Sequence, residues 1–204
     1  DLAARFLETS YLAEAFMKTI AIVLHAGLSK PARDIAYRHA YELVRADGLG
    51  TWEQAIREIT TQPTAGYLPP EFIHLLAWIS KKRTKPEDDW FKCALSQAKQ
   101  VLAALGNEDQ ENGKSPTVKE LLSSLVQIRN KTKAHGAVGE DFYSVANTPY
   151  LEAINAVLTT CPLIDWHWMH LDTRESGKIR GVMLAGSDTR YLRDAEVAQL
   201  SIET

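Results

Sequence analysis

Apolar residues recur at three- and four-residue steps through the first three quarters of the chain, the spacing of helices that bury one face. Leu2, Phe6, Ala13, Met17, Ile20 and Leu24 predict one long helix ending near Gly27. Pro31 suits the first turn of a second helix, with Ile35, Ala36, Ala40, Leu43 and Val44 on its apolar side and Gly48 and Gly50 as its stop. Thr51 followed by Gln54 matches a capping box for a short helix carrying Trp52, Ala55, Ile56 and Ile59. After a loop at Pro63 and Gly66, Pro69 and Pro70 open a helix with Phe72, Ile73, Leu76 and Ile79. Pro86, followed by Glu87, Asp88 and Asp89, opens the next, with Phe91, Ala94, Leu95, Ala98, Leu102 and Leu105 on its core face. The polar stretch from Gly106 to Ser115 reads as an exposed loop. Ser115 and Pro116 then fit the N-cap and first position of a helix bearing Val118, Leu121, Leu122, Leu125, Val126 and Ile128. A last helix is predicted from Thr148-Pro149, with Leu151, Ile154, Val157 and Leu158.

The pattern changes after Pro162. Asp165 to Leu171 and Lys178 to Ala185 read as two strands around Glu175-Ser176-Gly177. The expected fold is therefore mainly α: a helical bundle over residues 1–160, followed at 161–204 by a small C-terminal β-hairpin extension, read as the edge of a further domain. No internal repeat is evident.

The 204 residues are 45% hydrophobic and 24% charged, ordinary for a globular protein with a sizeable core. No apolar run approaches the roughly 18 to 20 residues of a membrane-spanning helix, so no membrane association is expected. The net charge of −3 argues against coating nucleic acid by bulk charge, although a local basic site is compatible with it. Cys93 and Cys161 make no disulfide framework, and a reducing cytoplasm is the expected location. The chain begins at Asp1 rather than Met and is expected to be part of a longer polypeptide.

One segment carries chemistry: Gln127-Ile128-Arg129-Asn130-Lys131-Thr132-Lys133-Ala134-His135-Gly136. Arg129 falls one turn beyond Leu125 on the apolar stripe of its helix. A guanidinium aimed along a core face needs an anionic partner or a cleft, because burying it unpaired is costly. Gly136 suits the position just after a helix, leaving His135 at the last turn. At about 100° per residue, Arg129 and His135 lie on different faces of an ideal helix. They meet most easily at a cleft edge, at a frayed helix end, or against a second copy of the same helix.

Arg129-Asn130 followed by His135, with five residues between the Arg and the His near the end of an apolar helix, resembles the motif of the HEPN superfamily (higher eukaryotes and prokaryotes nucleotide-binding). The resemblance extends over residues 1–160: a long amphipathic first helix, connecting helices, the motif helix and one closing helix. It implies a metal-independent endoribonuclease without cofactor, acting as a toxin or antiviral-defence effector on RNA, single-stranded or tRNA. It also implies a homodimer in which two copies of the motif share one cleft, and an antitoxin or fused sensor domain as partner. The residues suit that chemistry. RNA carries its own nucleophile in the 2′-OH, so His135 can move the proton and Arg129 can hold the phosphate bidentately. Asn130 can orient either one, and Lys131 and Lys133 add positive potential. The alternative is a non-catalytic HEPN module for binding or dimerisation. HEPN toxins paired with nucleotidyltransferase antitoxins usually carry a Tyr two places after the motif His; here Ala137 stands there and the nearest Tyr is Tyr143.

Other features carry less. Lys81, Lys82 and Arg83 belong to a basic run ending a helix, where cations favour the dipole, and they are secondary candidates for the RNA backbone. His25, His39 and His74 read as packing or surface histidines. Cys161, His167 and His170 are too few for a metal centre, and the two histidines would point to opposite faces of a strand, so no metal is expected. Trp166 and Trp168 would share one strand face. Glycine-rich phosphate loops and nucleophile triads are absent from the sequence.

Overall fold

A computed structural model describes residues 1–46, 48–107, 116–134, 139–166, 168–173, 179–183 and 189–191. The chain divides into two compact units, Asp1–Ile164 and Asp165–Thr204. The first is built among its described residues from α1 (Leu2–Ala26), α2 (Arg33–Arg45), α3 (Leu49–Ile59), α4 (Ile73–Ser80), α5 (Asp89–Ala104), α6 (Val118–Ala134) and α7 (Glu140–Thr160). Among the described residues no helix is long and apolar enough to cross a membrane.

α1 starts where the Asp1 carboxylate accepts from the Ala3 N–H at 2.9 Å. Its stripe of Phe6, Ala13, Met17, Ile20 and Leu24 is buried, packed against α3 and α7. Gly27 ends it with an ordinary φ of −78°, so this glycine is not required by a left-handed turn. It is required by space: a Cβ there would lie 2.4 Å from the Phe72 ring. α5 does close on a left-handed glycine. Gly106 has φ +72°, its N–H donates to Ala103 and that of Asn107 to Leu102, so two end carbonyls of α5 are satisfied.

Pro31 and Pro70 sit in short 3₁₀ turns ahead of α2 and α4, and the starts of α3, α6 and α7 differ further from the sequence expectation. Gly48, read as a stop of α2, is the N-cap of α3, and Gly50 lies inside that helix, because Leu49 is drawn into the core at 1% exposure and takes the first turn with it. Ser115 lies outside the described residues. α6 begins at Val118, and the Glu120 carboxylate reaches back to accept from the Thr117 N–H at 2.7 Å, the return half of a capping box. α7 begins at Glu140, with Pro149 inside it. An interior proline removes a helical hydrogen bond. Here the buried series Phe142, Ala146, Tyr150, Ala153, Ile154 and Val157 continues on both sides of it and holds the helix through. Phe6 packs against Phe142, Tyr143 and Tyr150, with ring centroids 4.9 to 5.6 Å apart.

His39 is buried at 1% exposure on α2, its Nε2 3.6 Å from Glu58 Oε2 and without a hydrogen-bond partner. Burial lowers its pKa from 6.5, with Arg38 and His25 acting in the same direction and Glu58 and Glu42 against them. The unfolded chain therefore binds the proton more readily below about pH 6.5, and folding stability falls as the pH drops through that window. Thermal melts between about pH 7.5 and pH 5 should show that decline, and His39→Gln should flatten it.

In the second unit, β1 (Met169–Thr173), β2 (Ile179–Met183) and β3 (Thr189–Tyr191) form an antiparallel sheet in that order, with His170 opposite Val182 and Gly181 opposite Arg190. Pro162–Asp165 forms a 3₁₀ turn, so β1 starts later than the first strand read at Asp165. Trp166 and Trp168 precede β1, and the strand face expected to carry both is not formed by them. β3 lies where no strand was expected. His167 lies outside the described residues.

Candidate functional site

Arg129 projects from the last turns of α6, its side chain 17% exposed. The charge has found the partner that its place on an apolar stripe demanded. Glu14 of α1 lies 3.4 Å from the guanidinium Nε and accepts from Nη2 at 3.5 Å. Both contacts are long for a charge-assisted pair, and Nε lacks hydrogen-bond geometry to any acceptor. The arginine is paired but not locked.

Around this pair opens a narrow cleft of about 70 Å³, lined among others by Ser10, Tyr11, Glu14, Arg129, Lys133 and Tyr143. Lys18 reaches Glu14 from one turn along α1 at 3.0 Å, and its ammonium lies 5.4 Å from the centroid of the Trp52 ring. Burial pushes the Glu14 carboxyl upward. The Lys18 hydrogen bond and the charges of Lys18, Arg129 and Lys133 outweigh it and hold the group below its ordinary 4.5. Glu14 is thus ionised near neutrality, one carboxylate among three cations. Beneath it, burial raises the Tyr150 phenol to about 12; the nearby Ser10 acts against the shift and Glu14's charge with it. Tyr150 therefore remains a proton donor. Its Oη and Ser10 Oγ are buried with no partner in hydrogen-bond geometry.

The arrangement suits a phosphate. An anion at the mouth would meet Arg129 and Lys133 against the opposing charge of Glu14, and a phosphate offers the guanidinium a bidentate partner that the long Glu14 contacts do not.

The remaining sequence candidates distribute differently. Lys133 lines the cleft and is exposed; Asn130 is exposed on α6 and Lys131 is half-buried there, and neither lines it. His135 lies outside the described residues, one position beyond the end of α6. Lys81 and Lys82 are exposed after α4.

Arg83 is a correction. Its side chain is 9% exposed, donating to Asp88 Oδ1 at 3.0 Å and to the Trp78 carbonyl at 2.8 Å, with its Cζ 5.3 Å from the Trp90 centroid. Its own N–H donates to the Pro116 carbonyl. The hydrogen bond from Arg83 holds the Asp88 carboxyl below its ordinary range, against the effect of burial. Arg83 is a clamp between loops and not a surface cation for RNA.

Glu14 and Lys18 were missed in the sequence. The available signal was a single carboxylate between Thr9 and Ala26 of an otherwise apolar and neutral stretch, with a lysine four residues later. Nothing local ties that pair to Arg129, 115 residues away.

No protein-family model, curated protein or solved structure matches the chain.

Proposed function

We propose that the helical unit is a HEPN-type endoribonuclease that cleaves RNA without a metal. The observation that supports this reading best is the loosely held, largely buried Arg129 beside a cleft with Lys133, in an all-helical unit of the order that the motif implies. In the proposed reaction the ribose 2′-OH attacks the adjacent phosphorus and the 5′-oxygen leaves. The products are a 2′,3′-cyclic phosphate and a 5′-hydroxyl. His135 takes the 2′-OH proton and returns one to the leaving oxygen. Arg129 exchanges Glu14 for the phosphate and stabilises the charge that accumulates in the transition state. Lys131 and Lys133 raise the local positive potential, and Asn130 orients the reacting groups.

The proposed assembly is a homodimer with α6 near its two-fold axis, so that two motifs enclose one composite cleft. In a cell, the proposed role is that of a toxin or defence effector restrained by an antitoxin or a fused sensor domain. The test is cleavage of single-stranded RNA and tRNA by the intact chain in the presence of EDTA. Cyclic-phosphate ends and resistance of DNA are expected. Cleavage that needs a divalent metal, or that leaves 3′-hydroxyl ends, would overturn the chemistry. For the assembly, sedimentation at micromolar concentration should give a dimer; a monomer with full activity would refute the shared cleft.

One observation favours a second reading. The Arg129–Glu14 pair and its Lys18 extension also form a conventional inter-helix ion-pair network, as a non-catalytic binding or dimerisation module would have. Such a module has no cleavage to lose.

A further inference from the structure

The outer face of α2 contributes no residue to the cleft, and its large side chains stand exposed. His39 is the buried residue of this helix, and the opposite side carries Tyr37, Tyr41 and Val44 at 73%, 55% and 88% exposure. On an ideal helix these three fall within about 60° of one another. Arg33, Arg38 and Arg45 are exposed around them; among the described residues of α2, Asp34 is the exposed acid there and Glu42 lies half-buried farther round the helix. Arg38 is tied to Glu58 at 2.7 Å and remains 56% exposed. With Arg38 paired, the exposed side chains beside the two aromatic rings are Arg33 and Arg45 against Asp34, a small local excess of positive charge on a chain whose net charge is −3.

We propose that this face of α2 binds single-stranded nucleic acid, its bases stacking on Tyr37 and Tyr41 and its phosphates meeting Arg33 and Arg45. Charge selects the occupant: exposed aromatic rings bordered by arginines fit a polyanion with flat apolar faces better than they fit an apolar peptide or a neutral helix. Spacing selects the strandedness. Four helical residues separate the two tyrosines by a rise of about 6 Å, whereas neighbouring bases in a duplex strand are only about 3.4 Å apart. The rings suit bases splayed on an extended strand. Base-on-aromatic stacking tolerates any sequence, so the strip supplies affinity and leaves selectivity to other parts of the molecule. This inference does not rest on cleavage, since stacking and phosphate contacts need no 2′-OH.

The test is fluorescence anisotropy of the intact chain with a fluorescein-labelled oligothymidylate of about twelve nucleotides, a probe that cannot be cleaved through a 2′-OH. Binding is expected, and Tyr37→Ala and Tyr41→Ala should each weaken it about 5- to 150-fold. Tyr37→Phe and Tyr41→Phe should retain it, because the π face and not the hydroxyl is used. Arg33→Gln and Arg45→Gln should each reduce the slope of log affinity against log salt by about 0.7. Ile73→Ala, an equally exposed apolar residue elsewhere, should leave binding unchanged. All substituted side chains are exposed, and circular dichroism checks that each variant is folded. No binding at micromolar protein, or binding unchanged in both alanine variants, overturns the proposal. Tyrosine variants that alter the oligomeric state but not oligothymidylate binding would show that the face serves a second copy of the chain. Nuclease failure with intact oligothymidylate binding would overturn the cleavage reading alone.

Discussion

On the proposed mechanism, Arg129→Ala should slow RNA cleavage by about 10²- to 10³-fold and His135→Ala by about 10²- to 10⁴-fold. The two losses have different origins. Removing Arg129 deletes a donor aimed at charge that develops only as the phosphorane forms, so kcat should fall more than KM rises. Removing His135 deletes proton transfer, so the pH–rate profile should lose the limb that the histidine governs, while RNA binding persists. Arg129→Lys keeps the charge but not the planar fork, and should recover only part of the rate. The ion-pair reading expects another result. Arg129→Ala would strip Glu14 of one of its two close cations and lower thermal stability, and His135→Ala would do little. Neither would change a cleavage rate, since none would exist. Steady-state assays on purified variants, with melting curves alongside, separate the readings. Full cleavage by His135→Ala protein would place the chemistry on other residues.

Glu14→Gln sharpens the distinction. The carboxylate competes with phosphate for Arg129 at contacts of 3.4 and 3.5 Å, so neutralising it should not abolish cleavage. In the ion-pair reading the same substitution is purely a loss.

The helices were legible because each has to bury a stripe, and a stripe is written at a fixed period. α1 and α5 follow their apolar residues closely, from Phe6 to Leu24 and from Phe91 to Leu102. The misreadings sit where a local rule met a tertiary contact. Pro149 signals a start by its chemistry, yet the packing of Phe142 and Ala146 carries α7 upstream past it. Thr51 and Gln54 have the form of a capping box, yet burying Leu49 is the stronger pull. At the site, Arg129 was legible because a charge on an apolar stripe is a local anomaly. Glu14 was not, because a single Glu with a Lys four residues later is common on exposed helices. Arg83 shows the reverse error. Inside a run of lysines its sequence looks like solvated charge, and only the placement of Trp78, Asp88 and Trp90 turns it inward.

That aromatic assembly leads to the largest expected loss of stability, which belongs to Phe91→Ala, at about 3–5 kcal/mol. The Phe91 side chain is fully buried on α5, the helix that packs against both α6 and α7. Its ring meets Trp90 edge-on, with centroids 5.7 Å apart at 83°. Trp90 in turn stacks parallel to Trp78 at 6.3 Å, with the Arg83 guanidinium 5.3 Å from the Trp90 centroid. Truncation removes the apolar transfer energy of the ring and leaves a hole on the core side of α5, the helix that packs against the α6 element carrying Arg129. Denaturant unfolding should therefore show a lower midpoint at unchanged slope. Val44→Ala, at 88% exposure, should stay within about 0.5 kcal/mol of the parent. A loss below about 1 kcal/mol for Phe91→Ala would mean that the site collapses around the missing ring. In that case the α5–α6–α7 core would be softer than its packing implies, and α6 would be a poor rigid support for a catalytic arginine.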